Sequence, residues 1–274
     1  MKRRLFILLA GLAGSVSLRA QELFVYTEPA SNMAARSIGV RLDNTVYDMG
    51  AGRWSDRLSP EIMWGADRHW MVHLAGYASN MYQAAFQPEG GSLYAKYRFY
   101  ADDGVHRHFR MAAFGKIARV NNPDSMSVHG MTAHSDEIDL SGSNSGYQGG
   151  IVGTQLLHKL ALSGGLAYTR RWAGEGALSM EALNYSVSAG LLLLPHHYTN
   201  YRQTNVNLMC ELLGAAALDK RAGFTDICPA LQFIFGSISR LDLGYRTQVA
   251  GHMERWSDRG VFVRLEYNFL NVYR

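Results

Sequence analysis

The chain has 274 residues, enough for one large domain or two ordinary ones, and no Pro- or Ser-rich linker divides it. Its 27 Lys and Arg outnumber its 23 Asp and Glu, but four of the basic residues lie within the first twenty positions, where there is no acid. The remainder is close to neutral, which removes the electrostatic case for a nucleic-acid partner. Two cysteines, Cys210 and Cys228, are too few for a disulfide framework.

The first twenty residues have the layout of a secretory signal peptide. Residues 2–4 are basic, residues 5–16 form an apolar run, and small and polar residues lead to Ala20. The run is too short to cross a bilayer as a helix, and no later run is long enough. We expect cleavage after Ala20, although Leu18 stands where a small residue is preferred, and we expect residues 21–274 to form one domain.

The rest of the chain consists mainly of long segments in which apolar and polar residues alternate. A period of two places the two sets on opposite faces of a β-strand. The predicted strands are Ala34–Asn44, Leu58–Gly65, His69–Ser79, Ser92–Ala101, His106–Arg119, Gly146–Leu157, Leu160–Trp172, Ala182–Leu194, Gln203–Ala215, Phe224–Phe235, Arg240–Val249 and Gly260–Leu270. Most of them are long enough to cross a membrane at a tilt.

Short and longer connections alternate between these strands. The short ones are predicted at 66–68, 102–105, 158–159, 195–200 and 236–239, and the mostly longer ones at 45–57, 80–91, 120–145, 173–181, 216–223 and 250–259. Bacterial outer-membrane barrels have short periplasmic turns and longer extracellular loops, whereas a soluble sandwich gives no reason for this asymmetry. The longest connection, 120–145, is predicted to project outside the cell.

The composition of the two strand faces agrees with a barrel. In Ser239–Val249, the residues Leu241, Leu243 and Tyr245 are predicted to face lipid. The other proposed outer faces carry Leu93, Ala95, Tyr97 and Phe99, then Thr204, Val206, Leu208, Cys210 and Leu212, then Val261, Val263, Leu265, Tyr267 and Phe269. Aromatic residues near strand ends suit interfacial girdles, namely Trp64, Trp70, Tyr100, Trp172, Tyr198, Tyr201, Trp256 and Tyr267.

The closing strand, Gly260–Phe269, reads "GVFVRLEYNF" and alternates up to a final aromatic residue. In this feature and in architecture the chain resembles the outer-membrane β-barrel proteins of Gram-negative bacteria, those of the porin or transporter type. Its overall character resembles that of such proteins from the Bacteroidota. The residues "LNVYR" follow Phe269, so the aromatic residue is not terminal as it usually is in that family. The resemblance implies an all-β fold, a single antiparallel up-and-down transmembrane barrel of about twelve strands. It also implies location in the outer membrane, contact with its lipid and recognition by the barrel assembly machinery.

Charged residues collect on the opposite strand faces, which would line the lumen. The predicted lumen-lining residues are Lys96, Arg98, Arg110, Lys116, Glu211, Arg240, Asp242, Arg246, Arg264 and Glu266, with Arg41, Asp43, Glu61 and Asp226 on the same faces. They could form a polar pore that sorts solutes by charge, or a network of ion pairs that fills a closed barrel. In the second case Glu266 is the expected partner of Arg246.

No cofactor, metal site or catalytic centre is predicted. His106 and His108 share a strand face but lack an obvious third ligand, and "HGMTAHSDEID" in the longest connection is read as a polar loop rather than an ion site. The adjacent pair His134 and Ser135 would point to opposite faces of a strand. The His-x-Ser-Asn-Gly stretch of outer-membrane phospholipases is missing.

These observations lead to two functional hypotheses. The first is a porin-like channel or transporter for small polar or amphipathic solutes. The second is a non-conducting barrel with structural, adhesive or partner-binding duties. An outer-membrane hydrolase is a more distant third.

Overall fold

The computed structural model describes residues 24–104, 107–128, 131–172, 178–195 and 203–273. Twelve long antiparallel strands form a closed barrel, and two short ones form a separate hairpin. The barrel strands are β1 Ser37–Asp48, β2 Trp54–Gly65, β3 Trp70–Ser79, β4 Gln87–Asp103, β5 Arg107–Val120, β8 Gly146–Leu157, β9 Leu160–Arg171, β10 Glu181–Leu194, β11 Asn205–Ala217, β12 Gly223–Phe235, β13 Ser239–Gly251 and β14 Arg259–Phe269. The hairpin consists of β6 Ser125–Val128 and β7 Met131–His134. Within the described ranges no helix has the length and apolar character needed to span a membrane.

Each barrel strand pairs with its neighbour in the chain, except that β5 pairs with β8 because the hairpin lies in the connection between them. The last strand returns to the first, and this seam sets Arg41 of β1 opposite Glu266 of β14, and Asp43 opposite Arg264. A closed ring pairs the backbone groups of every strand, which is what a bilayer demands. The predicted fold class, an all-β antiparallel up-and-down barrel of about twelve strands, is confirmed.

The starts of β1 and β2 differ from those predicted. β1 begins at Ser37 rather than at Ala34, because Arg36 adopts a positive φ of 61° where the chain turns into the wall. β2 begins at Trp54 rather than at Leu58, so part of the predicted connection belongs to the wall.

The fourth strand is longer than its sequence pattern indicates. β4 begins at Gln87, not at Ser92, because Pro88 and Gly90 weaken the strand pattern without ending the strand. Gly90 has a φ of 146°, and a Cβ at this position would lie 2.2 Å from the backbone oxygen of Arg119. Glycine is therefore required at position 90, where β4 and β5 approach each other.

Apolar side chains cover the outside of the barrel. Leu243 is 42% exposed, whereas its neighbour Asp242 is completely buried inside. Other large apolar residues with exposed side chains are Leu93, Tyr97, Phe99, Leu208, Leu212, Val261, Leu265, Tyr267 and Phe269. Trp64, Trp70, Tyr100 and Trp172 are also exposed near strand ends, while Trp256 turns inward against Tyr82. Tyr198 and Tyr201 lie outside the described residues.

Both cysteines lie in the wall. Cys210 in β11 is exposed on the outer face, and Cys228 in β12 is buried on the inner face.

Two segments that are not part of the wall occupy the interior. Residues 24–36, the N-terminal segment, cross the lumen and leave it where β1 begins, at the end of the barrel with the mostly shorter connections, hereafter the short-turn end. Residues 135–145, the inner loop, fold back into the opposite, long-loop end. Ile138 and Leu140 of this loop are 5% and 4% exposed.

The prediction that the whole of 120–145 projects outward is therefore wrong for the inner loop. Its apolar residues Ile138 and Leu140 pack against Ala118 and Ala182 of the wall. Burial of these side chains favours the folded-back position over exposure to water.

Candidate functional site: the barrel lumen

Glu211 anchors the N-terminal segment from the middle of β11. Its carboxylate is fully buried, and it accepts the backbone N–H groups of Val25 and Tyr26 at 2.8 Å and that of Thr27 at 2.9 Å. The hydroxyl of Thr27 donates to the same carboxylate at 2.6 Å, and that of Ser188 donates at 3.1 Å. A buried carboxylate is tolerated when hydrogen bonds replace its water, and bonds to a charged acceptor are the strong ones.

Lys96 of β4 binds the same segment through carbonyl groups. Its Nζ donates to the oxygens of Pro29 and Ser31 at 2.6 and 2.8 Å, and it lies 3.6 Å from the Glu28 carboxylate. Three further contacts hold the segment: Arg264 with the Val25 oxygen, Arg110 with Ser31 Oγ, and the Ala30 N–H with Thr154 Oγ1. These contacts hold the segment from Val25 to Ser31.

Charges of opposite sign alternate over the wall formed by β13, β14, β1 and β2. Arg41 lies 3.0 Å from Glu266, 3.5 Å from Glu61 and 3.0 Å from Glu28 of the N-terminal segment. Glu266 also lies 2.9 Å from Arg240. The strand registers produce this pattern, because they place Arg41 opposite both Glu266 and Glu61.

A second row of this wall continues the alternation. Arg264 forms a two-pronged pair with Asp43, each contact at 2.8 Å, and lies 3.9 Å from Asp242. Asp242 is also 3.1 Å from Arg240. Opposite charges therefore meet both across and along the strands.

Four charged side chains hold the inner loop on one side. Glu137 of the loop lies 3.0 Å from Arg246 and 2.8 Å from Arg255. Both arginines also pair with Asp226 of β12, and the contact between Arg255 and Asp226 is 2.8 Å. Arg246 therefore pairs with Asp226 and Glu137, and the predicted pairing with Glu266 is wrong. The register places Arg246 opposite Gly260, too far along the strand to reach that residue.

Arg57 holds the inner loop on the other side. Its guanidinium makes two bonds with Glu89, at 2.8 and 3.1 Å, and one with Asp139 of the loop at 3.2 Å. Burial alone would raise the pKa of Asp139, but the Arg57 charge and the Ser141 N–H outweigh it, so this pKa lies below its usual value. Asp139 consequently stays ionised over the ordinary pH range.

A chamber of about 460 Å³ remains between the two segments. The N-terminal segment forms one boundary through residues 25–28, and the inner loop forms the other through Glu137, Ile138, Asp139 and Leu140. One wall is charged and consists of Arg41, Asp43, Arg57, Glu61, Arg246 and Arg264. The facing wall is more apolar: it carries Phe114, Val152, Gly165, Ala167, Leu213 and Gly214, with the polar residues Lys116, Gln148, Asn184 and Ser186 among them.

The predicted lumen residues lie in different parts of the barrel. Glu211, Lys96, Arg240, Asp242, Arg264 and Glu266 are buried in the interior, and Lys96, Glu211 and Arg264 bind the N-terminal segment. Lys116 donates to Ser141 Oγ of the inner loop at 2.9 Å, and Arg246 pairs with the same loop. Arg110 lies nearer the short-turn end, where it pairs with Asp103 at 3.0 Å, and Arg98 is partly exposed.

Sequence reasoning did not identify Arg57, Glu89 or Arg255 as lumen residues. Arg57 and Glu89 fall in stretches that were predicted as connections, and Arg255 reaches in from the connection between β13 and β14. The sequence did contain one indication that Arg57 faces inward: Ser55, Arg57 and Ser59 alternate with their neighbours and so extend the β2 pattern toward the long-loop end.

The histidine motifs are engaged in other contacts. His108 Nδ1 lies 3.0 Å from Asp103, and His134 Nε2 lies 2.8 Å from Glu254. His106 and His129 lie outside the described residues. In the part of the chain that the structure describes, no group of three or more His, Cys, Asp or Glu side chains is placed to hold a metal ion.

Comparison with known proteins identifies the class of fold. No protein-family model and no curated protein sequence matches the chain. Among solved structures, the COG4313 outer membrane channel from Pseudomonas putida F1 is similar over 90% of this chain and 100% of its own, with 10% identity and a TM-score of 0.58. The KdgM porin is similar over 84% of this chain and 99% of its own, with 8% identity and a TM-score of 0.47.

The first of these similarities shows the fold, that of an outer-membrane β-barrel. It supports the predicted location in the outer membrane.

Proposed function

We propose that the protein is an outer-membrane channel or transporter for small amphipathic solutes, whose lumen is closed at two levels. The observation that carries this proposal is the chamber of about 460 Å³ between the N-terminal segment and the inner loop. A cavity of this size lies within the range of small-molecule sites, roughly 300–1,000 Å³.

The two unlike walls of the chamber favour amphipathic solutes. A polar group can hydrogen-bond with the charged wall, which includes Arg41, Arg57 and Arg264. An aromatic or aliphatic body can pack against Ala167 and Phe114 on the facing wall. A purely polar solute would leave the apolar part of that second wall without a partner, because apolar surface gains nothing from polar contact.

Passage requires the two segments to move, and their bonding permits it. Neither the N-terminal segment nor the inner loop pairs with a barrel strand as part of the sheet. Both make backbone bonds at their ends, and Asp136 N–H donates to the Glu254 oxygen in the β13–β14 connection, but side chains make most of the other contacts. Either segment can therefore leave while the backbone hydrogen bonds between the barrel strands stay intact.

Swelling of proteoliposomes tests both the channel and the solute class. We expect phenyl glucoside to enter faster than glucose, although glucose is smaller. Ala167→Leu should slow phenyl glucoside by narrowing the apolar wall, and Ala95→Leu on the outer face is the matched control. Equal exclusion of both solutes by a folded barrel would contradict the channel proposal, whereas faster entry of glucose would contradict only the solute class.

The alternative is a non-conducting barrel with structural, adhesive or partner-binding duties. Closure of the lumen at two levels favours it. Planar-bilayer recordings separate the two hypotheses, since a channel gives discrete conductance steps and a permanently closed barrel gives none.

Several expectations stay predictions. They are removal of residues 1–20, which lie outside the described residues, recognition by the barrel assembly machinery, the Bacteroidota-like character and the lack of enzymatic activity. Mass spectrometry of the mature chain would check the first of them.

A further inference from the structure

A crevice of about 630 Å³ opens at the rim of the long-loop end. It exists because β8 begins at Gly146, opposite Ala118, while β5 continues past that level to Val120. Its lining residues are Glu89, Gly90, Arg119, Val120, Asn121, Asn122, Asp124, Ser143, Asn144, Ser145, Arg171 and Trp172. We call it the rim crevice.

Two arginines lie on the outer face of the barrel near the rim crevice: Arg119, which lines it, and Arg170, the chain neighbour of the lining residue Arg171. Arg119 of β5 is exposed and makes no ion pair with any of the described residues. Arg170 of β9 is exposed as well, and one of its nitrogens is held by Glu181 at 3.1 Å. Trp172, 43% exposed, stands beside them.

The level of these arginines follows from the aromatic residues beside and beneath them. Tyr147 lies directly opposite Arg170 on the outer face and one step further from the rim than Arg119. Tyr168 lies one step further from the rim than Arg170, and the two tyrosine ring centroids are 6.4 Å apart. Aromatic girdles mark the boundary between the apolar and polar layers of the membrane. Arg170 therefore lies at this boundary and Arg119 just above it, next to the lipid headgroups.

The wall of the crevice contains a buried donor that lacks an acceptor. Arg171 has a side chain only 2% exposed, and its terminal nitrogen donates to the oxygens of Ser135 and Glu137 at 3.3 Å. Its Nε has no hydrogen-bond partner. An unsatisfied buried donor is costly, and an oxygen atom of a bound molecule would satisfy it.

We propose that the rim crevice and its two outer arginines bind the phosphorylated sugar headgroup of a lipopolysaccharide in the outer leaflet. Guanidinium groups bind phosphate oxygens in a two-pronged geometry, which suits Arg119 and Arg170. Sugar hydroxyls suit the crevice itself, because the side chains of Asn121 and Asn122 line it. A hydroxyl can also donate to Asp124, which a phosphate cannot approach.

Titration of the detergent-solubilised full chain with purified lipopolysaccharide tests the proposal, with native mass spectrometry and the unfolding temperature as readouts. We expect Arg119→Gln/Arg170→Gln to weaken binding at least tenfold. Arg53→Gln removes an exposed arginine in the β1–β2 connection at the same end of the barrel and should bind as the wild type does. Equal affinity of the wild type and the double variant would overturn the proposal, as would an equal loss in Arg53→Gln.

Further titrations distinguish binding of the phosphorylated sugar from binding of any anionic lipid. Phosphorylated core oligosaccharide without its lipid should bind the same site more weakly. Phosphatidylglycerol micelles should not compete. Competition by phosphatidylglycerol as effective as that by lipopolysaccharide would mean adsorption by charge alone and would overturn the sugar assignment.

If the double variant does not fold, Trp172→Ala, which keeps both charges, replaces it, and unchanged binding by that variant would count against the site.

Discussion

The two segments that occupy the lumen are held by different kinds of bond. The N-terminal segment is held through its backbone, since Glu211 accepts three of its N–H groups and Lys96 donates to two of its carbonyls. The inner loop is held largely through its own carboxylates, Glu137 and Asp139, which pair with arginines of the barrel interior. The N-terminal segment thus depends mainly on groups that every residue possesses, with Glu28 adding ion pairs to Arg41 and Lys96, whereas the inner loop depends on ionisable side chains.

The two segments should therefore respond to different perturbations. Most substitutions in the N-terminal segment leave its backbone groups in place, so the bonds to Glu211 and Lys96 are broken only by changes to those wall residues. A carboxylate anchor can be broken from either side, and also by protonation of the loop itself.

Arg57→Leu should have the largest effect, because it strands Glu89 and Asp139 without their shared cation. Breaking a buried ion pair by removing one partner costs about 3–5 kcal/mol. Urea unfolding of the barrel in lipid vesicles measures this loss of stability. Lys116→Met, which removes a cation with a single hydrogen bond to the same loop, is the matched comparison, and an equal loss in both variants would contradict the special role of Arg57.

Glu211→Gln should release the N-terminal segment. We expect a loss of about 1.5–3 kcal/mol, typical of one hydrogen bond to a charged group, because the amide oxygen replaces only part of what the carboxylate accepts. Protease digestion of the folded barrel near Tyr26 should become faster while the strands stay protected. Glu181→Gln on the outer face is the control, and unchanged protection of the segment in Glu211→Gln would refute the anchor.

Arg246→Leu should cost less than Arg57→Leu, since Arg255 still pairs with both Asp226 and Glu137. A loss on the order of 1 kcal/mol, the worth of an ordinary hydrogen bond, is expected. The double variant Arg246→Leu/Arg255→Leu should lose far more than the sum of the single changes, because only then are both carboxylates stranded. Additive losses would show that the two arginines act independently.

Acid should loosen the inner loop. The pKa of Asp139 is depressed in the folded protein, so its contribution is complete above the ordinary value of about 3.9 and is lost as the pH falls through the folded value. Protease access to the loop should therefore rise below about pH 4. Asp139→Asn should remove this transition, and a transition that persists unchanged in this variant would assign it to another group.

The wall of this barrel was predictable from the sequence because alternation is a local signal. β8, Gly146–Leu157, coincides with its prediction at both ends, and β9 and β10 differ by a single residue. The inward position of Glu211 also followed from alternation, since it shares a strand face with Asn205 and Asn207.

The contents of the lumen were not predictable in the same way. The N-terminal segment has no periodicity, and its place depends on Glu211, which is 186 positions away from Val25 in the chain. The inner loop has only two apolar residues, Ile138 and Leu140, to indicate that it folds inward. Contacts between such distant positions leave no local pattern in a single sequence.

The seam between β1 and β14 has one more consequence, which concerns the uniqueness of barrel closure. A slip by one residue would turn the apolar faces into the lumen. A slip by two in one direction would set Arg41 opposite Arg264, and in the other direction it would set Asp43 opposite Glu266. Like charges directly opposite each other are destabilising, so either slip is opposed by repulsion. The charges of the inner wall thereby select a single circumference for the closed barrel.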